Sequence, residues 1–340
     1  MTPADITIAV TVFDRQDYIE QAVASALAQT RPVRVMVVED CGPEAGLQSR
    51  VIATFGSRIV YHRNPRRRGL FDNWNACMDL CPTRWLCLLH DDDFLAPDFV
   101  DAMIQLAGKL PDKGLYFGRC KVVNAAGEAT WTTPARPGAE WQTADPAEIA
   151  LHNPVCFPAE LFRVDYAQAL GGFPPKSLFT GDWDMWAKLA LHYGAAATNR
   201  VIGNSRRYDV EGRGTTRVAR NGKCLGLGFM QARKNAARAR RQGKKVHFDR
   251  ALLLKTRPVP TRFLLEYAWG FSPRLLAYNH RLLLRSRAPH AGYLLFQALA
   301  RGLGPQFVRA ASRLYQVVIG IGRGKRSIGS RWEDQKSALA

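Results

Sequence analysis

Along the first 125 residues, short apolar runs alternate with segments whose apolar positions recur every three or four residues. Ile6–Val12 (ITIAVTV) reads as a buried strand bounded by turn-forming residues. From Asp17 to Gln29 the residues Tyr18, Ile19, Ala22, Val23, Ala26 and Leu27 share one stripe, predicting a helix capped by Asp14 or Asp17. A second strand, Val33–Val38, exits into Glu39-Asp40-Cys41-Gly42-Pro43. Then come a brief third strand at Ile59–His62, a helix at Phe71–Leu80, a fourth strand at Trp85–Leu89 and a helix from about Asp98 to Lys109. Strands alternating with helices imply an α/β protein with a mostly parallel, doubly wound sheet. Such sheets bind ligands at the carboxyl ends of their strands. Three polar features fall at such ends: Val12–Asp14, Glu39-Asp40 and Asp91–Asp93.

Further along, residues 114–132 predict a strand, an Asn124–Gly127 turn and a return strand. Thr132 to Pro146 is polar and proline-rich. Asp182–His192 is an amphipathic helix with Met185, Trp186, Leu189 and Ala190 on its apolar side. Ser205–Thr216 reads as a charged, glycine-containing loop, and from about Val218 onward only arginine-rich helical patterns follow. The expected division is a catalytic domain at residues 1–215 and a basic helical extension at 216–340.

Charge sharpens that boundary. Residues 1–200 hold 19 Lys+Arg against 23 Asp+Glu, whereas residues 201–340 hold 29 against 6, so the net +19 belongs to the second segment. A strongly basic module faces an anionic partner. With 47% hydrophobic residues the chain has ample core, but no run approaches the roughly 18–20 apolar residues of a membrane span. The start, MTPADITIAV, lacks the basic n-region of a signal peptide, so a cytoplasmic location is expected. Seven scattered cysteines (Cys41, Cys77, Cys81, Cys87, Cys120, Cys156, Cys224) complete no zinc pattern and are read as reduced.

The candidate chemistry centres on Leu86–Pro97, LCLLHDDDFLAP. Adjacent carboxylates repel one another, and a divalent cation offsets that cost; oxygen ligands suit magnesium or manganese. A cation so held bridges a diphosphate and stabilises a phosphate leaving group. A solvated loop capping the next helix through Asp93 or Asp98 is the bland alternative. A second acidic feature, Gly181-Asp182-Trp183-Asp184-Met185-Trp186, lies at a helix start, where carboxylates are favoured by the dipole alone. It equally offers a general base between Trp183 and Trp186, whose faces are candidates for stacking on a sugar.

The order of these pieces resembles family 2 glycosyltransferases of the GT-A fold over roughly residues 5–210. ITIAVTVFDRQDYIEQAVASALAQT resembles the family's first strand and helix, although Thr11-Val12-Phe13-Asp14 lacks the usual proline and asparagine. VRVMVVEDCGPEAG, NPRRRGLFDNWN, LLHDDDFLAPDF and LGGFPPKSLFTGDWDMWAKLALHYG resemble the later segments. The resemblance implies a Rossmann-like, doubly wound mixed sheet with an α-helical basic C-terminal extension. It implies that Asp40 contacts the nucleotide base, with Val12 and Phe13 packing beside it. Arg67 or Arg68 would approach the diphosphate and Asn75 would shape the pocket. The Asp-x-Asp equivalent becomes His90-Asp91-Asp92: Asp91 faces the ribose or a metal-bound water, Asp92 the metal and diphosphate, with Asp93 supporting. Asp182 matches the base aspartate, and Gly181 replaces its usual glutamate neighbour. Trp183, Asp184 and Trp186 fall on the acceptor or sugar side. The reaction implied is an inverting displacement with a Mn2+ or Mg2+ cofactor and a nucleotide-sugar donor, a UDP-sugar foremost. The acceptor would be a saccharide or lipid-linked saccharide of bacterial cell-surface polysaccharide or lipopolysaccharide assembly.

Segments such as Gln231–Lys245 and Arg274–Arg287 mix arginine with leucine at helical spacing. A solvated face packed on the catalytic domain is one reading. Peripheral contact with the anionic inner face of the cytoplasmic membrane is the sharper one, suggested by Phe263, Trp269, Phe271, Leu294 and Phe296. No nucleic-acid module appears, so no nucleic-acid partner is expected. Two rivals for the whole chain are a sugar nucleotidyltransferase, for which the glycine-rich loop after the first strand is missing, and a degenerate scaffold of the same fold.

Overall fold

The computed structural model describes residues 1–14, 17–43, 46–175, 177, 180–207 and 223–246. They divide into two units, one of Met1–Ser177 with Gly181–Tyr208, the other of Leu178–Thr180 with Asp209–Ala340.

In the first unit the chain runs β1 (Ile6–Val12), α1 (Ile19–Leu27), β2 (Arg34–Glu39), α2 (Leu47–Phe55), β3 (Val60–Arg63), α3 (Leu70–Leu80), β4 (Trp85–His90), β5 (Phe94–Leu95) and α4 (Phe99–Lys109). It continues through β6 (Leu115–Val123), β7 (Ala129–Thr132), β8 (Trp141–Ala144), α5 (Pro146–Leu151), β9 (Glu160–Arg163), α6 (Val164–Ala169), α7 (Gly181–Tyr193) and β10 (Ala195–Arg206). The sheet order is β3-β2-β1-β4-β9-β6-β10-β5, with β7 beside β6 and β8 beside β10.

All seven residues of β1 are buried, as a strand covered on both faces requires. Side chains alternate between faces. Ile6, Ile8, Val10 and Val12 join Ile19, Val23, Leu47, Val51, Phe99 and Met103 from α1, α2 and α4 in one apolar cluster. Ala9 joins Phe71, Trp74, Met185, Trp186 and Leu189 from α3 and α7 in the other. The sheet is therefore the wall between two cores.

The expected doubly wound order holds for β3-β2-β1-β4, all parallel. Beyond β4 the sheet is mixed, as the family resemblance implied and the periodicity did not. The short β9 runs antiparallel between β4 and β6, while β6 and β10 pair parallel. A four-residue strand carries too little alternation to stand out. The same brevity hides β8 inside the proline-rich stretch. The expected cap of the first helix is corrected: Tyr18 is the N-cap, makes no side-chain cap bond, and α1 begins at Ile19.

In the second unit, α8 (Lys223–Arg241) is helical as its pattern predicted. Arg274–Arg287 and the aromatic residues at 263–296 lie outside the described residues. No helix among the described residues is long and apolar enough to cross a membrane.

Candidate active site

In-register pairing brings the strand ends together: Val12 pairs with Glu39, Thr11 with His90, and Glu39 with Arg63. Backbone bonds continue past the strands, from Asp40 N to Val12 O (2.9 Å), Asp91 N to Thr11 O (3.1 Å) and Asn64 N to Glu39 O (2.8 Å). Every strand-end feature singled out in the sequence thus lies along one rim.

The Glu39-Asp40 pair is spent on holding that rim. Glu39 is fully buried; its Oε1 accepts from Gly42 N (3.0 Å) and the Arg63 guanidinium, and its Oε2 from the Tyr61 hydroxyl (2.7 Å). Burial and the Glu39 carboxylate push the Tyr61 hydroxyl well above its ordinary pKa. Gly42 passes so close to β1 that a Cβ would lie 1.9 Å from Phe13 O. Asp40, 3% exposed, accepts from Arg68 N at Oδ1 (2.7 Å) and Gly69 N at Oδ2 (2.8 Å). It thereby fixes the loop before α3, where Gly69 takes φ +92°. The Arg67 guanidinium lies over the Phe13 ring, 4.1 Å from its centroid, and the Arg68 side chain is exposed. Asn75 clamps Phe173 through both amide atoms, Nδ2 to Phe173 O (2.9 Å) and Phe173 N to Oδ1 (2.8 Å). Its side chain shapes the rim rather than lining open space.

Asp91, Asp92 and Asp93 are all buried. The group whose ligand atoms converge is His90, Asp92 and Asp93, all within 4.8 Å of one another. His90 takes the place expected of Asp91, because the chain turns at residues 91–93 and Asp93 N bonds back to His90 O (3.2 Å). The set fits a divalent cation: one imidazole and two carboxylates at ligand spacing. The His90 ring packs against Trp74 (5.5 Å, 17°) and Phe157 (4.6 Å, 32°), which touch each other at 5.1 Å.

One residue the sequence did not single out organises this cluster. Arg206, the last residue of β10 and 3% exposed, donates its backbone N to Asp93 Oδ1 (2.7 Å) and its Nε to Asp92 O (2.9 Å). Its other nitrogens reach Asn124 O, Ala125 O and Gln21, and the guanidinium lies over the Tyr18 ring at 4.0 Å. Among so many arginines nothing in the chain marked it.

Asp182 sits in the first turn of α7, partly open to solvent, with Asn153 donating Nδ2 to its Oδ2 (3.0 Å). Burial holds its carboxyl above the usual carboxylate range, opposed by the Trp183 backbone N–H, Asn153 and the charge of His90. Gly181 has no room for a side chain, since a Cβ would meet the Phe71 ring at 2.4 Å. Two acceptor-side expectations are corrected. Trp186 is fully buried among Phe157, Phe162 and Phe173, so its faces are covered by protein rather than offered to a sugar. Asp184, also buried, is paired with Lys188 (3.0 Å) one turn along the helix. Trp183 is half-buried and donates Nε1 to Ile149 O (2.6 Å).

Residues 7–170 match the profile of Glycosyl transferase family 2. The succinoglycan biosynthesis protein ExoO of Rhizobium meliloti (strain 1021) is 35% identical over 104 residues, 30% of this chain and 30% of ExoO. An uncharacterized glycosyltransferase of Rickettsia bellii (strain RML369-C) is 25% identical over 190 residues, 54% of this chain and 27% of that protein. The similarity thus spans less than a third of either relative. Among solved structures, S. aureus TarS 1-349 superposes with TM-score 0.51 at 13% identity over 95% of this chain and 93% of TarS 1-349. The mannosyltransferase PcManGT of Pyrobaculum calidifontis gives TM-score 0.53 at 17% identity over 93% and 89%. Residues 7–170 thus match the family 2 glycosyltransferases, and the sheet that carries them has the GT-A fold.

Proposed function

We propose that the chain is an inverting enzyme moving a sugar from a nucleoside-diphosphate donor to an acceptor hydroxyl in cell-surface polysaccharide assembly. The observation that carries this is the convergence of His90, Asp92 and Asp93 within 4.8 Å at the strand ends of a segment matching Glycosyl transferase family 2. Asp182, its carboxyl raised by burial, is the candidate base. A raised carboxyl lies nearer operating pH, where a general base works best. Asp182 accepts the proton of the acceptor hydroxyl as that oxygen bonds to the anomeric carbon from the face opposite the departing diphosphate. The bond to the diphosphate oxygen breaks, and its electron pair leaves with the nucleoside diphosphate. Asn153 orients the carboxyl by donating to Oδ2. Asp92 and Asp93, with His90, are the residues that would hold a Mn2+ or Mg2+ ion. Such an ion supplies Lewis-acid stabilisation of the diphosphate leaving group.

On the donor side Asp40 and Asn75 act through the loops they hold. Phe13, Arg67 and Asp91 lie at the strand ends where the nucleotide would lodge. UDP-sugars are the first donors to test: TarS structures are described with UDP-GlcNAc or UDP, and PcManGT with GDP-Man and Mn2+. The link to polysaccharide rests on the naming of ExoO for succinoglycan biosynthesis. A panel of UDP- and GDP-sugars, assayed for hydrolysis and transfer, tests the reading. Metal-dependent release of nucleoside diphosphate from one donor supports it, and no binding of any nucleotide sugar would sink it.

The basic extension at 216–340 is assigned to an anionic membrane surface on the cytoplasmic side, near a lipid-linked acceptor. Its support is the charge segregation and, on and just beyond α8, the exposed Arg233, Lys234, Arg240, Arg241, Lys244 and Lys245. Co-sedimentation with anionic but not neutral vesicles is the expected result.

A further inference from the structure

His90 is the departure from the family pattern that the donor chemistry above leaves unexplained. Its ring packs against the Trp74–Phe157 pair, whose two rings also touch each other, and this contact restricts the directions of its two nitrogens. Neither nitrogen makes a hydrogen bond. Nδ1 lies 3.6 Å from Asp93 Oδ2, longer than a hydrogen bond allows. Nε2 is shielded from solvent and has no partner in the protein. Buried polar atoms are rarely left so. Asp93 is held from its other side, where Arg206 N donates to Oδ1 (2.7 Å), which leaves Oδ2 turned toward the imidazole. Two ligands of one cation, each roughly 2.0–2.2 Å from it, lie about 3–4 Å apart. The spacing that is wrong for a hydrogen bond is right for a shared ion.

We infer that His90 is a nitrogen ligand of the divalent cation at this site and gives the site its preference for a transition-metal ion over magnesium. The inference rests on the proposed metal-dependent reaction and deepens it. An imidazole nitrogen suits first-row transition metals, whereas Mg2+ takes oxygen ligands and keeps its waters. An aspartate at position 90 would give three carboxylates and remove the discrimination. Packing against the Trp74–Phe157 pair supplies rigidity that a hydrogen bond usually gives a metal-bound histidine.

The test is pulsed EPR of the full, untagged chain with UDP and Mn2+. A nitrogen hyperfine coupling is expected on the bound Mn2+, together with phosphorus coupling from UDP. In His90→Asp the nitrogen coupling disappears, Mn2+ still binds, and the ratio of Mn2+ to Mg2+ affinity falls by about tenfold, the lower end of what disturbing a ligand shell costs. His90→Gln, uncharged like the neutral ring, carries the assignment should His90→Asp fail to fold. Bound Mn2+ with phosphorus but no nitrogen coupling would overturn the role of His90 and leave the glycosyltransferase reading intact. An unchanged affinity ratio in a folded His90→Asp variant would also overturn it. Absence of any metal-dependent UDP binding in the wild-type chain would instead remove both.

Discussion

The two sides of the sheet treat their carboxylates differently. On the donor side, at the ends of β1, β2 and β4, Glu39, Asp40 and Asp93 are buried and hydrogen-bonded to the backbone of neighbouring loops and of β10. On the acceptor side, Asp182 is half-open and receives one side-chain hydrogen bond, from Asn153. Donor-side acids are thus part of the scaffold as well as the site, whereas Asp182 is available for chemistry at little structural cost. Stability and turnover are expected to separate along that line.

The sharpest test is Asp182→Asn. It removes the proposed base and keeps the Asn153 contact, so transfer should fall by about 10²–10⁴-fold while donor binding and the unfolding midpoint hold. A matching loss of stability would erase the contrast. With Asp182 intact, the acid limb of the kcat/KM profile should break above the usual carboxylate range, because burial raises this group. Arg206→Met probes the opposite side. It strips donors from the buried Asp92 O and the more exposed Asn124 O and Ala125 O, and should cost up to about 3 kcal/mol in urea unfolding, since a buried unsatisfied acceptor costs about 1–3 kcal/mol. Asp40→Asn keeps one of the two loop bonds and should cost about 1.5–3 kcal/mol, with donor KM rising more than kcat falls.

The smallest effect concerns Glu160 on β9, where β4 and β9 separate. Its Oε1 accepts from Leu88 N (3.2 Å), its Oε2 has no partner, and burial raises its carboxyl well above the usual range. Above the ordinary carboxylate pKa the unfolded chain has lost this proton while the folded chain retains it. Stability therefore falls as pH rises, until the folded group also ionises. The slope from one such group is about 1.4 kcal/mol per pH unit. Glu160→Gln should flatten it, as read by denaturant unfolding across a pH series. An unchanged slope would mean that this carboxyl ionises normally.

The same asymmetry governed what the sequence made visible. β1, β2, β4, α1 and α4 carry long apolar runs or stripes, and a parallel sheet makes its strand ends adjacent, so the donor rim was legible as a line of acids. The far side is built from β8, β9 and the irregular β10, whose register shifts between Ala197 and Gly203 blur any alternation. Trp186 was misplaced because a tryptophan at helical spacing serves a core as well as a sugar site, and only Phe157, Phe162 and Phe173 around it decide which. Arg206 gave no signal at all, since its role depends on carbonyls brought together from three distant segments. His90 was visible as a departure, but its partnership with Asp92 and Asp93 required the turn that follows it.

Gly181 has a consequence for how this site could change by mutation. The ring of Phe71 occupies the volume that any side chain at 181 would need. The acid that the family resemblance places beside the proposed base is therefore disfavoured here: Gly181→Glu requires the Phe71 ring to move or shrink. Positions 71 and 181, on helices far apart in the chain, form one coupled choice, and relatives of this chain with glutamate at 181 are expected to carry a smaller residue at 71.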